Sequence, residues 1–187
     1  MTEASGSSES SERDALQKAA MRGIAVHRVM EKLDYGALPL CGKIGEYLDG
    51  LTERGIFSEE ERAVLREEEF ETFLRSPLCR RMEAAWQRGR LHREAQFVMA
   101  LPAREVEPGR SSEEPVVIQG IIDAWFEENG EIVLVDYKTD RGASARQLSG
   151  RYRAQLALYA RALGMMEQKN VSARLLWSFA RGEAICL

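Results

Sequence analysis

Apolar residues recur at spacings of three and four through the first half of the chain, then switch to near-continuous short runs in the second. Leu16, Ala20, Gly23, His27 and Met30 share one helical stripe. They predict a helix from Asp14 to Leu33, ended by Gly36 and Pro39. A second helix is expected over residues 42–53, stopping at Gly55. Ser58 with Glu61 forms a capping box that opens a third, reaching Leu74. Ser76-Pro77 starts a fourth with proline at its first position, and Gly89 ends it.

Residues 91–100 (LHREAQFVMA) read as a strand and 102–115 as a polar, proline-rich loop. Two apolar runs then flank Asn129-Gly130, the strongest short hairpin signal available to a sequence. Residues 145–163 return to helix, with Leu148, Gln155, Leu156, Tyr159 and Leu163 on one side. A last apolar run, 173–180, turns at Arg181-Gly182 into a short final strand. Residues 2–12 are Ser/Glu-rich and read as a disordered linker or tail. The expectation is a tail over 1–13 and one domain over 14–187, helical over 14–89 with a sheet core over 90–187. This is an α/β layout around a small mixed sheet.

Composition narrows the classes. Of the 187 residues, 44% are hydrophobic, enough for a sizeable core, and 30% are charged. No apolar run approaches the roughly 18 residues of a membrane span. Cys41, Cys79 and Cys186 are odd in number and form no CxxC pair, which argues against a zinc or iron–sulfur site and fits a reducing cytoplasm. A net charge of -4 gives no overall attraction to nucleic acid, although a local basic groove can coexist with it. The chain carries no GxxxxGK[ST] phosphate loop, so ATP hydrolysis is not expected of it.

The hairpin carries the chemistry. Counting outward from Asn129-Gly130 sets Glu128 against Glu131 and Asp123 against Asp136, with Lys138 on the Asp136 face. Strict alternation puts Ile121 and Trp125 on this acidic face and Ile122, Ala124 and Phe126 on the other. Like charges directly opposed on a sheet repel, and strands apolar on both faces are buried, where unpaired charge is costly. A divalent cation or a salt bridge must offset this, and two carboxylates make an oxygen-rich site suited to Mg²⁺ or Mn²⁺. For a lone DxK motif a structural Asp–Lys pair is the commoner reading; the register-matched second aspartate shifts the balance.

The run GIIDAWFEENGEIVLVDYKTD resembles the RecB-type branch of the PD-(D/E)XK nucleases, most of all the C-terminal nuclease domain of AddA-type helicase–nuclease subunits. Other pieces match in order: GIAVHRVME with Gly23 and His27, REAQFV with Glu94, and QLALY with Gln155 and Tyr159. The resemblance covers about residues 15–187 and implies a restriction-endonuclease-like core of a small mixed sheet flanked by helices, with a helical N-terminal half. It implies His27, Asp123, Asp136 and the Tyr137 main-chain carbonyl as metal ligands for Mg²⁺ or Mn²⁺. It makes Lys138 catalytic alongside Asp123 and Asp136, and Glu94 a residue that shapes or approaches the metal site. Gln155 and Tyr159, one turn apart, would contact DNA or support the site. The four cysteines of cluster-bearing relatives are lacking, so no iron–sulfur cluster is expected.

The implied activity is metal-dependent hydrolysis of DNA phosphodiester bonds in a cytoplasmic helicase–nuclease that resects ends for recombinational repair. Its partners would be single-stranded DNA ends, a helicase region of the same polypeptide and a second helicase–nuclease subunit, with no membrane. A catalytically silent DNA-binding or scaffold module of the same fold, or a free-standing RecB-like exonuclease, is the alternative. Arg80, Arg81, Arg88, Arg90 and Arg93 form a basic run that could follow phosphates or simply be a solvated face. His27 and Tyr159 sit on apolar stripes, where core packing is the competing role.

Overall fold

The computed structural model describes residues 5–37, 43–106, 109 and 111–187. Its contacts group the chain into two compact units. The first holds the residues up to Glu83 together with Tyr137–Arg141 and Ser178–Glu183. The second holds Ala84–Asp136, Gly142–Trp177 and Ala184–Leu187.

The first unit is helical. Helix α1 spans Ser5–Lys32, so the segment expected to be a tail is helical from Ser5. The stripe Ala25, Val26, Val29 and Met30 is buried, and each residue added to a packed helix contributes a further hydrogen bond at little cost. A 3-10 turn follows at Tyr35–Ala37, and the expected stop at Pro39 lies outside the described residues, as does Cys41. Helix α2 covers Ile44–Glu53. The helix expected to run from the capping box to Leu74 is two: α3 (Glu59–Ala63) and α4 (Glu67–Leu74). The chain breaks between them where Arg66 is extended, and Leu65 drops into the core at 7% exposure. The Ser58–Glu61 box is formed as expected. Helix α5 (Pro77–Gln87) starts after Ser76, whose hydroxyl accepts from the Cys79 N–H at 3.0 Å. Phe70, Phe73, Tyr137 and Phe179 pack as tilted and edge-on rings at centroid separations of 5.2–6.2 Å. Each such buried side chain contributes about 1.5–3 kcal/mol of burial free energy.

The second unit is built on strands. Strand β1 covers Leu91–Pro102, β2 Pro115–Glu128 and β3 Glu131–Lys138. A short helix, α6 (Ala103–Val106), opens the segment expected to be loop. Helix α7 (Ala145–Glu167) follows, then β4 (Val171–Ser178) and β5 (Glu183–Cys186). Among the described residues these five strands form one sheet in the order β1-β2-β3-β4-β5. β1, β2 and β3 pair antiparallel. β4 runs alongside β3 in the same direction: the Ile132 N–H donates to the Asn170 carbonyl at one end and the Phe179 N–H to the Lys138 carbonyl at the other, both at 2.9 Å. The sheet is therefore mixed, as expected. Helix α7 is the crossover that parallel neighbours require, and it is capped by a Ser144–Gln147 box that the sequence pattern did not single out.

The hairpin turn is the one expected. Asn129 and Gly130 take φ of 54° and 83°, the left-handed pair of a type I′ turn. The register follows through Glu128↔Glu131, Phe126↔Val133 and Trp125↔Leu134 to Ala124↔Val135. The faces do not alternate as expected. Ile122 and Trp125, assigned to opposite faces, belong to one buried cluster with Leu134, Leu148 and Leu156, while Ile121 is 47% exposed. The cause lies between them, where the β1–β2 ladder is interrupted.

Candidate functional site

The interruption is at Glu94 and Asp123. The pairs Arg93↔Ala124 and Ala95↔Ile122 bracket it, so no residue is inserted in either strand and Glu94 stands opposite Asp123. Glu94 has φ 50°, a left-handed backbone in the middle of a strand of ordinary L residues. Such a conformation costs roughly 1–2 kcal/mol and persists only where surrounding packing imposes it. Flanking residues supply that packing. On one side His92 stacks on Trp125 with ring centroids 3.9 Å apart. On the other, Phe97 lies directly across from Gly120. A Cβ at Gly120 would come within 2.7 Å of the Phe97 ring and 3.6 Å of Tyr159. The glycine of the GxxD sequence thus admits two aromatic rings across the strand.

The kink brings carboxylate oxygens of Glu94 and Asp123 within 4.8 Å of each other. Both groups are partly buried. Two oxygens bound to one Mg²⁺ at about 2.0–2.1 Å lie at most about 4.2 Å apart, so a small side-chain adjustment fits the pair to one cation. The hard-oxygen donor set suits Mg²⁺ or Mn²⁺ rather than a thiolate-seeking metal. Glu94, expected to shape or approach the metal site, offers a carboxylate oxygen within 4.8 Å of that of Asp123. Its left-handed backbone has no signature in the sequence REAQFV.

Asp136 lies on β3 at 1% exposure, consistent with the burial expected of this strand. The β2–β3 ladder ends at Ala124↔Val135, one step short of the expected Asp123–Asp136 pair. Lys138 follows two residues later, partly buried, with its carbonyl tied to Phe179. Tyr137 between them is 2% exposed. Its ring meets Phe73 and Phe179 and the edge of His27 at 6.2 Å, and its hydroxyl reaches the Met82 sulfur at 3.9 Å. Those contacts fix the direction in which β3 ends. His27 itself is partly buried on α1, one turn beyond Gly23.

The residues after Lys138 are held by an ion-pair cluster. Arg22 of α1 donates to the Thr139 carbonyl at 3.0 Å and pairs with Glu69. Arg141 reaches the same carboxylate at 3.3 Å. Burial lowers the Arg22 pKa most; Glu69 opposes that shift, and the neighbouring Arg141 and Arg66 add to it.

Gln155 and Tyr159 meet as their spacing predicts, with the Gln155 amide donating to the Tyr159 hydroxyl at 2.9 Å. Tyr159 also sets its edge to Phe97 at 5.5 Å. A Cβ added at Gly120 would lie 3.6 Å from the Tyr159 ring. In the basic run Arg90 pairs with Glu127 at 3.3 Å, and Arg80 donates to the Arg75 carbonyl. These contacts occupy two of its five arginines internally.

Residues 3–185 match the family model described as the PD-(D/E)XK nuclease superfamily. The chain is also similar to proteins named as ATP-dependent helicase/nuclease subunits. That of Heliobacterium modesticaldum is 37% identical over 185 residues, covering 94% of this chain and 13% of the relative. That of Bacillus licheniformis is 36% identical over 177 residues, 89% of this chain and 14% of the relative. That of Syntrophomonas wolfei is 36% identical over 169 residues, 89% and 13%. The chain therefore spans only 13–14% of the length of these relatives. No described helix is long and apolar enough to cross a membrane.

Proposed function

Because the chain belongs to the PD-(D/E)XK nuclease superfamily, we propose that it hydrolyses DNA phosphodiester bonds with the help of a divalent cation. The observation that carries this reading is the Glu94–Asp123 carboxylate pair, set on two strands whose ladder is distorted at that one position. Strain kept at a cluster of acidic groups is a mark of a working site.

Asp123, Asp136 and Glu94 are the carboxylates that would hold Mg²⁺ or Mn²⁺, with His27 and the Tyr137 carbonyl completing the set. Once bound, the cation supplies Lewis-acid polarisation of a phosphate oxygen. The reaction is an in-line displacement at phosphorus: the water oxygen bonds to phosphorus and gives up a proton to solvent, the ester P–O bond breaks, and the departing oxygen takes up a proton from solvent. Lys138 orients the water and donates to the phosphate oxygens where negative charge accumulates. Asp136 lies buried two residues before Lys138 on the same strand. Gln155 and Tyr159 act through position, holding Gly120 and hence Asp123 in place.

By the names of its relatives, this nuclease activity would serve a larger helicase–nuclease. The substrate would be single-stranded DNA ends exposed by a helicase region of the same polypeptide, working with a second subunit in recombinational repair. Replacing Lys138 or Asp136 with Ala is expected to lower Mg²⁺-dependent cleavage of a single-stranded oligonucleotide by about 10²–10³-fold. Cleavage by both variants at the wild-type rate overturns the assignment.

A further inference from the structure

A cavity of about 550 Å³ opens directly beside the residues that follow Lys138. Lys18 and Arg22 of α1, Arg66 from the break between α3 and α4, and Thr139, Asp140 and Arg141 line it together with three alanines and Val64. With Glu69 behind Arg22 and Arg141, four cations meet two carboxylates. This local positive surplus sits in a chain of net charge -4. None of the described lining residues is aromatic.

The geometry points to this cavity, beside the residues that follow Lys138, as a binding site for the sugar–phosphate backbone of the nucleic-acid strand. The inference rests on the nuclease reading and adds to it the contact that positions the strand. Three features support it. Arg22 is 8% exposed, and its Nε is buried with no hydrogen-bond partner among the described residues. Arg141 and Arg66 both act repulsively on Arg22, a strain that an anion between them relieves. The chain from Lys138 to Arg141 reaches at most about 10 Å, on the order of the spacing of two or three charges along one strand. A volume within the usual range for small-molecule pockets admits a nucleotide-sized piece of backbone. The lack of an aromatic platform leaves no surface on which a base stacks, so the contact reads phosphate and not sequence.

The test uses the 187-residue chain and a fluorescent single-stranded oligonucleotide, with Ca²⁺ replacing Mg²⁺ so that binding is read without cleavage. Lys18 and Arg66 are both exposed, and Lys18→Gln/Arg66→Gln removes two of the four cations. Affinity is expected to fall about tenfold at moderate salt. The slope of log Kd against log salt is expected to fall by about 1.4, which is about 0.7 for each single-strand phosphate that is no longer neutralised. An unchanged affinity and slope overturn the proposal. So does inorganic phosphate alone raising the wild-type Tm, but not that of the double variant, while oligonucleotide affinity stays equal; the cavity is then a free-anion site. If the double variant fails to fold, the single Lys18→Gln change carries the test with half the slope change. Wild-type cleavage in Mg²⁺ is measured in parallel. Its absence, with the binding loss intact, sinks the nuclease reading and leaves the strand contact standing.

Discussion

Glu94 stands directly across from Asp123 with its backbone turned left-handed, and that single residue interrupts an otherwise continuous β1–β2 ladder. Glycine normally weakens a strand interior by roughly 0.5–1 kcal/mol relative to alanine. At Glu94 the order is expected to reverse, with Glu94→Gly more stable than Glu94→Ala by about 1 kcal/mol, since only glycine enters the left-handed region without penalty. Exposed Gln96 on the same strand serves as the control and should show the ordinary order. Urea denaturation of the four variants measures this directly; equal ordering at both positions means that the kink is absent.

Mn²⁺ titration followed by thermal melting should raise the Tm of the wild-type chain. At a concentration of about 100 Kd the stabilisation is about 2.7 kcal/mol. Asp123→Asn and Glu94→Gln should each weaken that shift, because each removes one charged oxygen donor from the pair. A Glu94→Gln variant that responds to Mn²⁺ like wild type assigns Glu94 a purely structural part.

Gly120→Ala places a methyl group 2.7 Å from the Phe97 ring. Overpacking of this kind costs about 1–3 kcal/mol. Adding Phe97→Leu should recover part of that loss, since the ring is the nearest obstacle. A double-mutant cycle with additive effects argues against the close approach.

Glu127 accepts from Lys169 at 2.6 Å and pairs with Arg90 at 3.3 Å. The Lys169 hydrogen bond holds its carboxyl below the usual range. A carboxylate depressed in the folded state adds stability above its unfolded pKa and loses it as pH falls through the folded one. Glu127→Gln should therefore lower Tm at neutral pH. The gap to wild type should narrow as pH falls below the ordinary carboxylate range. A gap that holds constant down to acid pH shows that the ion pairs contribute nothing.

Much of the fold was legible because its signals are local. Asn129-Gly130 demands a type I′ turn, and that turn sets the register of every pair observed between β2 and β3. Ser58 and Glu61 form a capping box from their spacing alone. Gln155 and Tyr159 meet because they are four apart on a helix. Less legible were the α3–α4 break, where buried Leu65 outweighs a continuous helical pattern, and the helical start at Ser5, where propagation from a packed stripe overrides polar composition.

By itself, then, the sequence determined the hairpin and its register from Glu128↔Glu131 to Ala124↔Val135, since turn chemistry acts within a few residues. The tertiary structure alone decided that Glu94 turns left-handed, that the faces of β2 exchange across Asp123, and that the cations of α1, Arg66 and Arg141 gather beside Thr139. Each of these depends on groups distant in the chain: Trp125 against His92, Phe97 over Gly120, and Arg22 against Glu69 and the Thr139 carbonyl. Local propensity opposes a left-handed glutamate and a cluster of arginines, and only packing and ion pairing supplied from elsewhere can hold them.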